Sequence, residues 1–276
     1  MFVMIISILF FMVIRTDVIW LRMLIRMSAG DLNAYVALAG FVGGVFTGTA
    51  ALKRGFSLGR SYESRSASGY VLPVLLVLIL ILSVTTSLMA VSEKGPGSMH
   101  APVLIALVGG LVFGAVSQKC RTCFAGSFRD VILMKNFDLI TIIGAFFAVM
   151  LLFNMVTGGF KLSFDGQPVA HAQHLWNILG MYVVGFAAVL AGGCPLRQLV
   201  LAGQGSSDSA VTFLGMFIGA ALCHNFGLAG AAAAAATDTS PAAAGGPGTA
   251  GKAAVIICIA VLFAIGFLPG IQREKK

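Results

Sequence analysis

The sequence predicts an all-α polytopic membrane protein, an inverted-repeat helical bundle of about eight crossings interrupted by half-helices or re-entrant segments. Three observations predict it. Of 276 residues, 58% are hydrophobic and only 10% charged, whereas a domain that covers itself in water carries about 25% charged residues. The apolar residues come in stretches long enough, or nearly so, to cross a hydrocarbon core of about 30 Å. One stretch of the chain also repeats another without gaps.

The apolar stretches lie at about 2–15, 33–52, 69–91, 101–118, 137–157, 173–191, 208–223 and 253–269. Arg15, Thr16 and Asp17 follow the first where a cleaved signal would show small residues, so it reads as a span. Shorter pieces at 18–30, 120–134 and 194–203 are too short or too charged to cross. They read as half-helices, because irregular backbone survives at membrane depth only where it lines a cavity or is buried in protein. The chain is taken as one transmembrane domain over 1–276. Within it, 1–60 is an incomplete first inverted repeat, 101–230 a second repeat, and 229–252 a flexible loop rich in alanine and glycine.

Charge sets the expected orientation. Lys53, Arg54, Arg60 and Arg65 crowd one loop, Lys119, Arg121, Arg129 and Lys135 another, and Arg273, Lys275 and Lys276 end the chain. Counting crossings puts all three groups on one side, the cytoplasm by the positive-inside rule. The loops at 92–100 and 158–172 and the run Ala229–Gly251 then face outward, and Pro241, Gly245, Gly246, Pro247 and Gly248 break the second half of that run. The net charge of +8 is this orientation signal. No basic run interleaves with stacking aromatics, so nucleic acid is not an expected partner.

Residues 21–44 align with 196–219, with identities at Leu21/Leu196, Arg22/Arg197, Leu24/Leu199, Gly30/Gly205, Val36/Val211, Gly40/Gly215 and Gly44/Gly219. The second and seventh crossings belong to the two copies and run in opposite directions, which is the inverted-topology build of many transporters.

Five cysteines lie in or beside apolar segments and form no disulfide framework. Two have unusual neighbours. In Gly192-Gly193-Cys194-Pro195-Leu196-Arg197, the glycines remove side chains and Pro195 suits the first position of a helix. Cys194 would cap a half-helix whose N-terminus favours an anion, with Arg197 one turn further in. The competing reading makes Cys194 a small core residue and lets Arg197 snorkel. In Cys120-Arg121-Thr122-Cys123-Phe124-Ala125-Gly126-Ser127-Phe128-Arg129-Asp130, Gly126 would allow close backbone approach at the Cys123 thiol. Arg129 and Asp130 either balance each other at a helix end or present Arg129 to a path with Asp130 orienting it. Zinc would need four ligands, and no second CxxC or His pair supplies them. His171 and His174 read as an interfacial helix start beside Trp176, and His224-Asn225 as a vestibule lining or a cap. Cys223 and Cys258 read as packing residues. Gly40, Gly43, Gly44, Gly109, Gly110 and Gly114 read as sites of close helix contact.

The stretches GGCPLRQLVLAGQG, HNFGLAG, QKCRTCFAGSFRDVIL, EKGPGSMHAP and HLWNILGM resemble the YeeE/YedE sulphur-transport family, closest to its YedE branch, which is linked to selenium transport. The resemblance covers nearly the whole chain. It implies an hourglass-like fold of two inverted halves in which cysteines on a central path relay thiosulfate. By motif the path residues would be Cys123 in CxxGxxRD and Cys194 in GCPLR, with Cys120 outside the shared pattern. The first repeat departs from the family, since Ile19 and Trp20 stand where Cys and Pro belong.

The expected function is therefore uptake of a small sulphur- or selenium-bearing anion across a bacterial inner membrane, with the C-terminus cytoplasmic. No enzyme activity or cofactor is expected, no phosphate-binding loop is found, and a cytoplasmic sulphur-carrier protein is a partner by family association alone. Two alternatives stand beside it: a membrane thiol-disulfide oxidoreductase using Cys120 and Cys123, and a shortened, non-transporting remnant that needs a second chain.

Overall fold

The computed structural model describes residues 19–57, 103–164, 173–228, 230 and 245–268, with scattered helical positions between 74 and 85. The expected crossing at 2–15, nearly all of that at 69–91, and most of the loop at 229–252 lie outside the described residues. The helices are α1 (Ile19–Ser28), α2 (Leu32–Lys53), α3 (Val103–Lys119), α4 (Phe124–Met134), α5 (Asp138–Val156), α6 (His174–Leu190), α7 (Pro195–Gly203), α8 (Ser207–Asn225) and α9 (Thr249–Phe267). Every expected short piece is a short helix: α1, α4 and α7. The expected loop over 229–252 is corrected at its end, because α9 already begins at Thr249. Gly248, extended at φ −66° and ψ 178°, takes the position before it, and Thr249 to Lys252 include good helix formers.

Four runs among the described residues are long and apolar enough to cross a membrane: Leu32–Lys53, Asp138–Val156, His174–Gly203 and Thr249–Phe267. The third is interrupted between α6 and α7. In α5 the outer face is apolar and bare, with Val149, Phe153 and Val156 all exposed, as a lipid-facing surface requires.

The described chain divides into two compact units. One holds α3 and α7. The other holds α1, α2, α4, α5, α6 and α9 and is organised on the α2–α6 pair. Gly40, Gly44 and Gly48 recur every four residues and so share one face of α2. A Cβ on Gly40 would meet the Ile178 backbone, one on Gly44 the backbone of Tyr182 and Phe186, and one on Gly48 the Val189 side chain. Gly185 answers from α6 against the Phe41 carbonyl. Without side chains at these points the backbones touch, which is how dispersion replaces the missing hydrophobic drive between helices in lipid. The Tyr182 hydroxyl donates to Thr47 Oγ1 at 2.8 Å across the same seam.

The turn between α1 and α2 is clasped by residues 161–164, which follow α5. Lys161 N donates to Ala29 O at 2.8 Å and Ser163 N to Gly30 O at 3.1 Å. Asp31, fully buried, caps α2 by accepting from Asn33 N at 2.9 Å and pairs with Arg26. Asn33 Nδ2 donates to Phe164 O and Asn154 Nδ2 to Ser28 Oγ, at 2.9 and 2.8 Å.

Gly44→Leu is expected to force α2 and α6 apart and to cost about 1–3 kcal/mol or more. A thermal melt in detergent checks it: the midpoint falls for Gly44→Leu but barely moves for Gly43→Ala, whose Cβ would meet Tyr182 Cδ2 at an ordinary 3.7 Å.

Candidate functional site

Both candidate thiols follow the same backbone device. Helix α3 ends with Arg121 in the left-handed region at φ 50°. Cys120 N bonds Val116 O, Arg121 N bonds Gln118 O and Thr122 N bonds Ser117 O. Helix α6 ends with Gly192 at φ 81°, and the same three bonds recur at Ala191, Gly192 and Gly193, to Ala187, Val189 and Ala188. This crossed pattern satisfies the last carbonyls of a helix and turns the chain sharply. In each case the next residue is the cysteine, and a short helix starts immediately after it: α4 at Phe124, α7 at Pro195. Thus helix, left-handed residue, cysteine and half-helix occur twice, 71 residues apart.

The aligned segments 21–44 and 196–219 share a related device. Gly30 and Gly205 have φ 88° and 96°. Gly30 N bonds Met27 O and Asp31 N bonds Arg26 O, while Gly205 N bonds Ala202 O and Ser206 N bonds Leu201 O. The residue after each glycine caps the following long helix, Asp31 toward Asn33 N and Ser206 Oγ toward Ser209 N at 3.4 Å.

Cys123 caps α4 with sulphur in place of the usual oxygen. Its backbone is extended, at φ −145° and ψ 110°, and Sγ accepts from Gly126 N at 3.2 Å. The glycine is needed, since a Cβ on it would lie 3.0 Å from both Cβ and Sγ of Cys123. Helix α4 is held by an aromatic cluster: the Phe124 ring lies tilted 4.9 Å from Phe41 of α2, and Phe128 lies 5.3 Å from Phe124.

The same sulphur accepts a second amide, Cys194 N at 3.4 Å, and the two side chains hydrogen-bond each other. Both cysteines are buried, Cys123 at 6% and Cys194 at 1% exposure, and neither is in a disulfide. Arg129 leans toward them, with its Nη2 3.9 Å from where a Gly126 Cβ would stand, near enough for its charge to act on the Cys123 thiol. Asp130 accepts from Arg129 Nε at 2.8 Å. Of the two readings of this pair, the charge balance is present and the guanidinium also borders the thiol. A buried sulphur is thus met by two amide N–H groups with a guanidinium nearby.

The structure thus brings together Cys123, Gly126, Arg129, Gly193 and Cys194. Cys120, Pro195 and Arg197 belong to the other unit. Cys120 and Arg197 are each half-buried, Cys120 at the end of α3 and Arg197 one turn into α7. His174 opens α6 with its ring 5.3 Å from Phe164, while His171 lies outside the described residues. Cys223 and Cys258 are exposed on α8 and α9 and so do not pack in a core. Among the described residues no three His, Cys, Asp or Glu side chains cluster as a metal would need. Sequence inspection missed the Asp31–Arg26 node, although Gly30-Asp31 before an apolar run is a helix-start signal.

Residues 119–276 match the model of a protein family described as sulphur transport. The chain is 33% identical over 113 residues to the thiosulfate transporter TsuA of Spirochaeta thermophila, covering 40% of this chain and 33% of that protein. It is 32% identical over 111 residues to the thiosulfate transporter TsuA of Escherichia coli, covering 39% and 30%. The matched stretch therefore spans about a third of either relative. No solved structure matches the chain.

Gly126→Ala is expected to push the Cys123 thiol out of its cap and to raise its alkylation rate by about tenfold, the loss of about one hydrogen bond. Timed labelling with N-ethylmaleimide, read by mass spectrometry at Cys123 against Cys258, checks it.

Proposed function

Because this chain belongs to the sulphur-transport family, we propose that it carries a small sulphur-bearing anion of the thiosulfate type, or its selenium counterpart, through the membrane past Cys123 and Cys194. The observation that carries this reading is the contact of two buried cysteines, with two backbone N–H groups directed at the sulphur of Cys123. A pore for a divalent oxyanion needs donors that replace its water without holding it too tightly. Backbone amides and neutral S–H groups are such donors. The terminal sulphur of thiosulfate is soft and polarisable and suits a thiol contact, while the oxygen end suits N–H groups and Arg129.

The rest of the proposal extends this picture. The anion passes between thiols as successive weak contacts, with no covalent bond made or broken. Arg197, early in the half-helix after Cys194, and Cys120 are further proposed path residues, Arg197 for its positive charge. The two copies of the α1–α2 and α7–α8 device form an inverted pair among about eight crossings, which the shared turn geometry at Gly30 and Gly205 supports. The basic loops and C-terminus lie in the cytoplasm of a bacterium whose inner membrane holds the protein, and a soluble sulphur carrier receives the cargo there.

Cells lacking their own thiosulfate uptake and expressing this chain are expected to accumulate radiolabelled thiosulfate. Cys123→Ala and Cys194→Ala should each lower the initial rate by at least about tenfold, the worth of one lost hydrogen bond to a charged group, at equal amounts of membrane-inserted protein. Wild-type rates in both variants would contradict the thiol path. Labelled selenite in the same cells decides whether the selenium counterpart is accepted.

A further inference from the structure

The sequence offers Cys120 and Cys123 as a redox pair, but the hydrogen-bonded partner of the Cys123 side chain is Cys194. We infer that Cys123 and Cys194 form a reversible disulfide that closes the path to the anion when a peroxide reaches it. The inference rests on the proposed function for its consequence, but not for the bond itself.

The geometry suits this bond. A disulfide spans about 2.05 Å between sulphurs and needs the two Cβ atoms about 4 Å apart. Cys123 Sγ already lies 3.4 Å from the backbone nitrogen of Cys194, so the second thiol is carried by the residue that the first one touches. Both residues sit at breaks between helices, and neither is in a disulfide. The Cys123 sulphur is met by two N–H groups with Arg129 nearby, and the fraction of the thiol that ionises is the form that reacts.

The chemistry balances with a peroxide as the named oxidant. The Cys123 thiolate attacks one peroxide oxygen, the O–O bond breaks, and Cys123 becomes a sulfenic acid as hydroxide leaves and takes up the proton the thiol had lost, giving water. The Cys194 thiol attacks that sulphur, the S–O bond breaks, a second water leaves, and the disulfide remains. Two thiols are oxidised by two electrons and hydrogen peroxide is reduced to two waters. A dithiol reverses the bond by exchange. The closed form removes both S–H donors and ties the cap of α4 to the residue before α7, so the anion loses its contacts.

The test uses the full chain in proteoliposomes, with Cys223→Ala and Cys258→Ala removing two exposed thiols outside the site. After hydrogen peroxide, a non-reducing digest is expected to yield one linked species joining the Cys123 and Cys194 peptides, lighter by two hydrogens. Thiosulfate uptake should fall by about tenfold or more, and dithiothreitol should restore both. Cys194→Ser should abolish the linked species while the protein still melts cooperatively. A Cys120–Cys123 bridge in its place, or thiols at 123 and 194 that still alkylate after peroxide, would overturn the inference. Linkage without loss of uptake would overturn the closing role. If the reduced protein takes up no thiosulfate, the proposed function fails, and peptide mapping alone still decides whether the bond forms.

Discussion

The structure depends on one requirement: a helix that begins inside a membrane protein must find partners for its first N–H groups without water. At Cys123 the requirement is met by sulphur. The thiol folds back onto Gly126 N and also takes the N–H of Cys194. One soft acceptor therefore joins two chain breaks that lie 71 residues apart. An oxygen cap would serve α4 equally well by local geometry, so capping alone does not account for the choice of sulphur. The proposed sulphur-bearing cargo would account for it.

Around that contact the helices pack closely. The glycine face of α2 lies directly on α6, and Phe41 leads from this seam to Phe124 and so to the cap of α4. The chain breaks are held from the other direction by the turns at Arg121 and Gly192, which spend left-handed residues to end one helix and start the next within two positions. Arg121 is the more costly of the two, because a Cβ in that conformation loses about 1 kcal/mol relative to glycine. The buried Asp31–Arg26 pair and its clasp to residues 161–164 fasten the α1–α2 turn in the same unit.

Much of this was legible beforehand. The short helices α1, α4 and α7 follow from Gly and polar residues that interrupt apolar runs, and the close approach of backbone to the Cys123 thiol follows from Gly126. The aligned copies at 21–44 and 196–219 were visible as matching glycines, and Gly30 and Gly205 then share one turn. Two things were not legible. The sulphur contact joins residues far apart in sequence, and no local pattern encodes a distance across the fold. The likeness of the turns at 120–123 and 191–194 was hidden because backbone hydrogen bonds define it, while Arg121 stands in one turn where Gly192 stands in the other.

The most direct measurement is an electron cryo-microscopy map of the protein in lipid nanodiscs with thiosulfate present. The account predicts density for the anion within hydrogen-bonding distance of Cys123 Sγ and beside Cys194, in a cavity closed off from acyl chains. Thiosulfate bound elsewhere, with these two sulphurs apart and facing lipid, would contradict it.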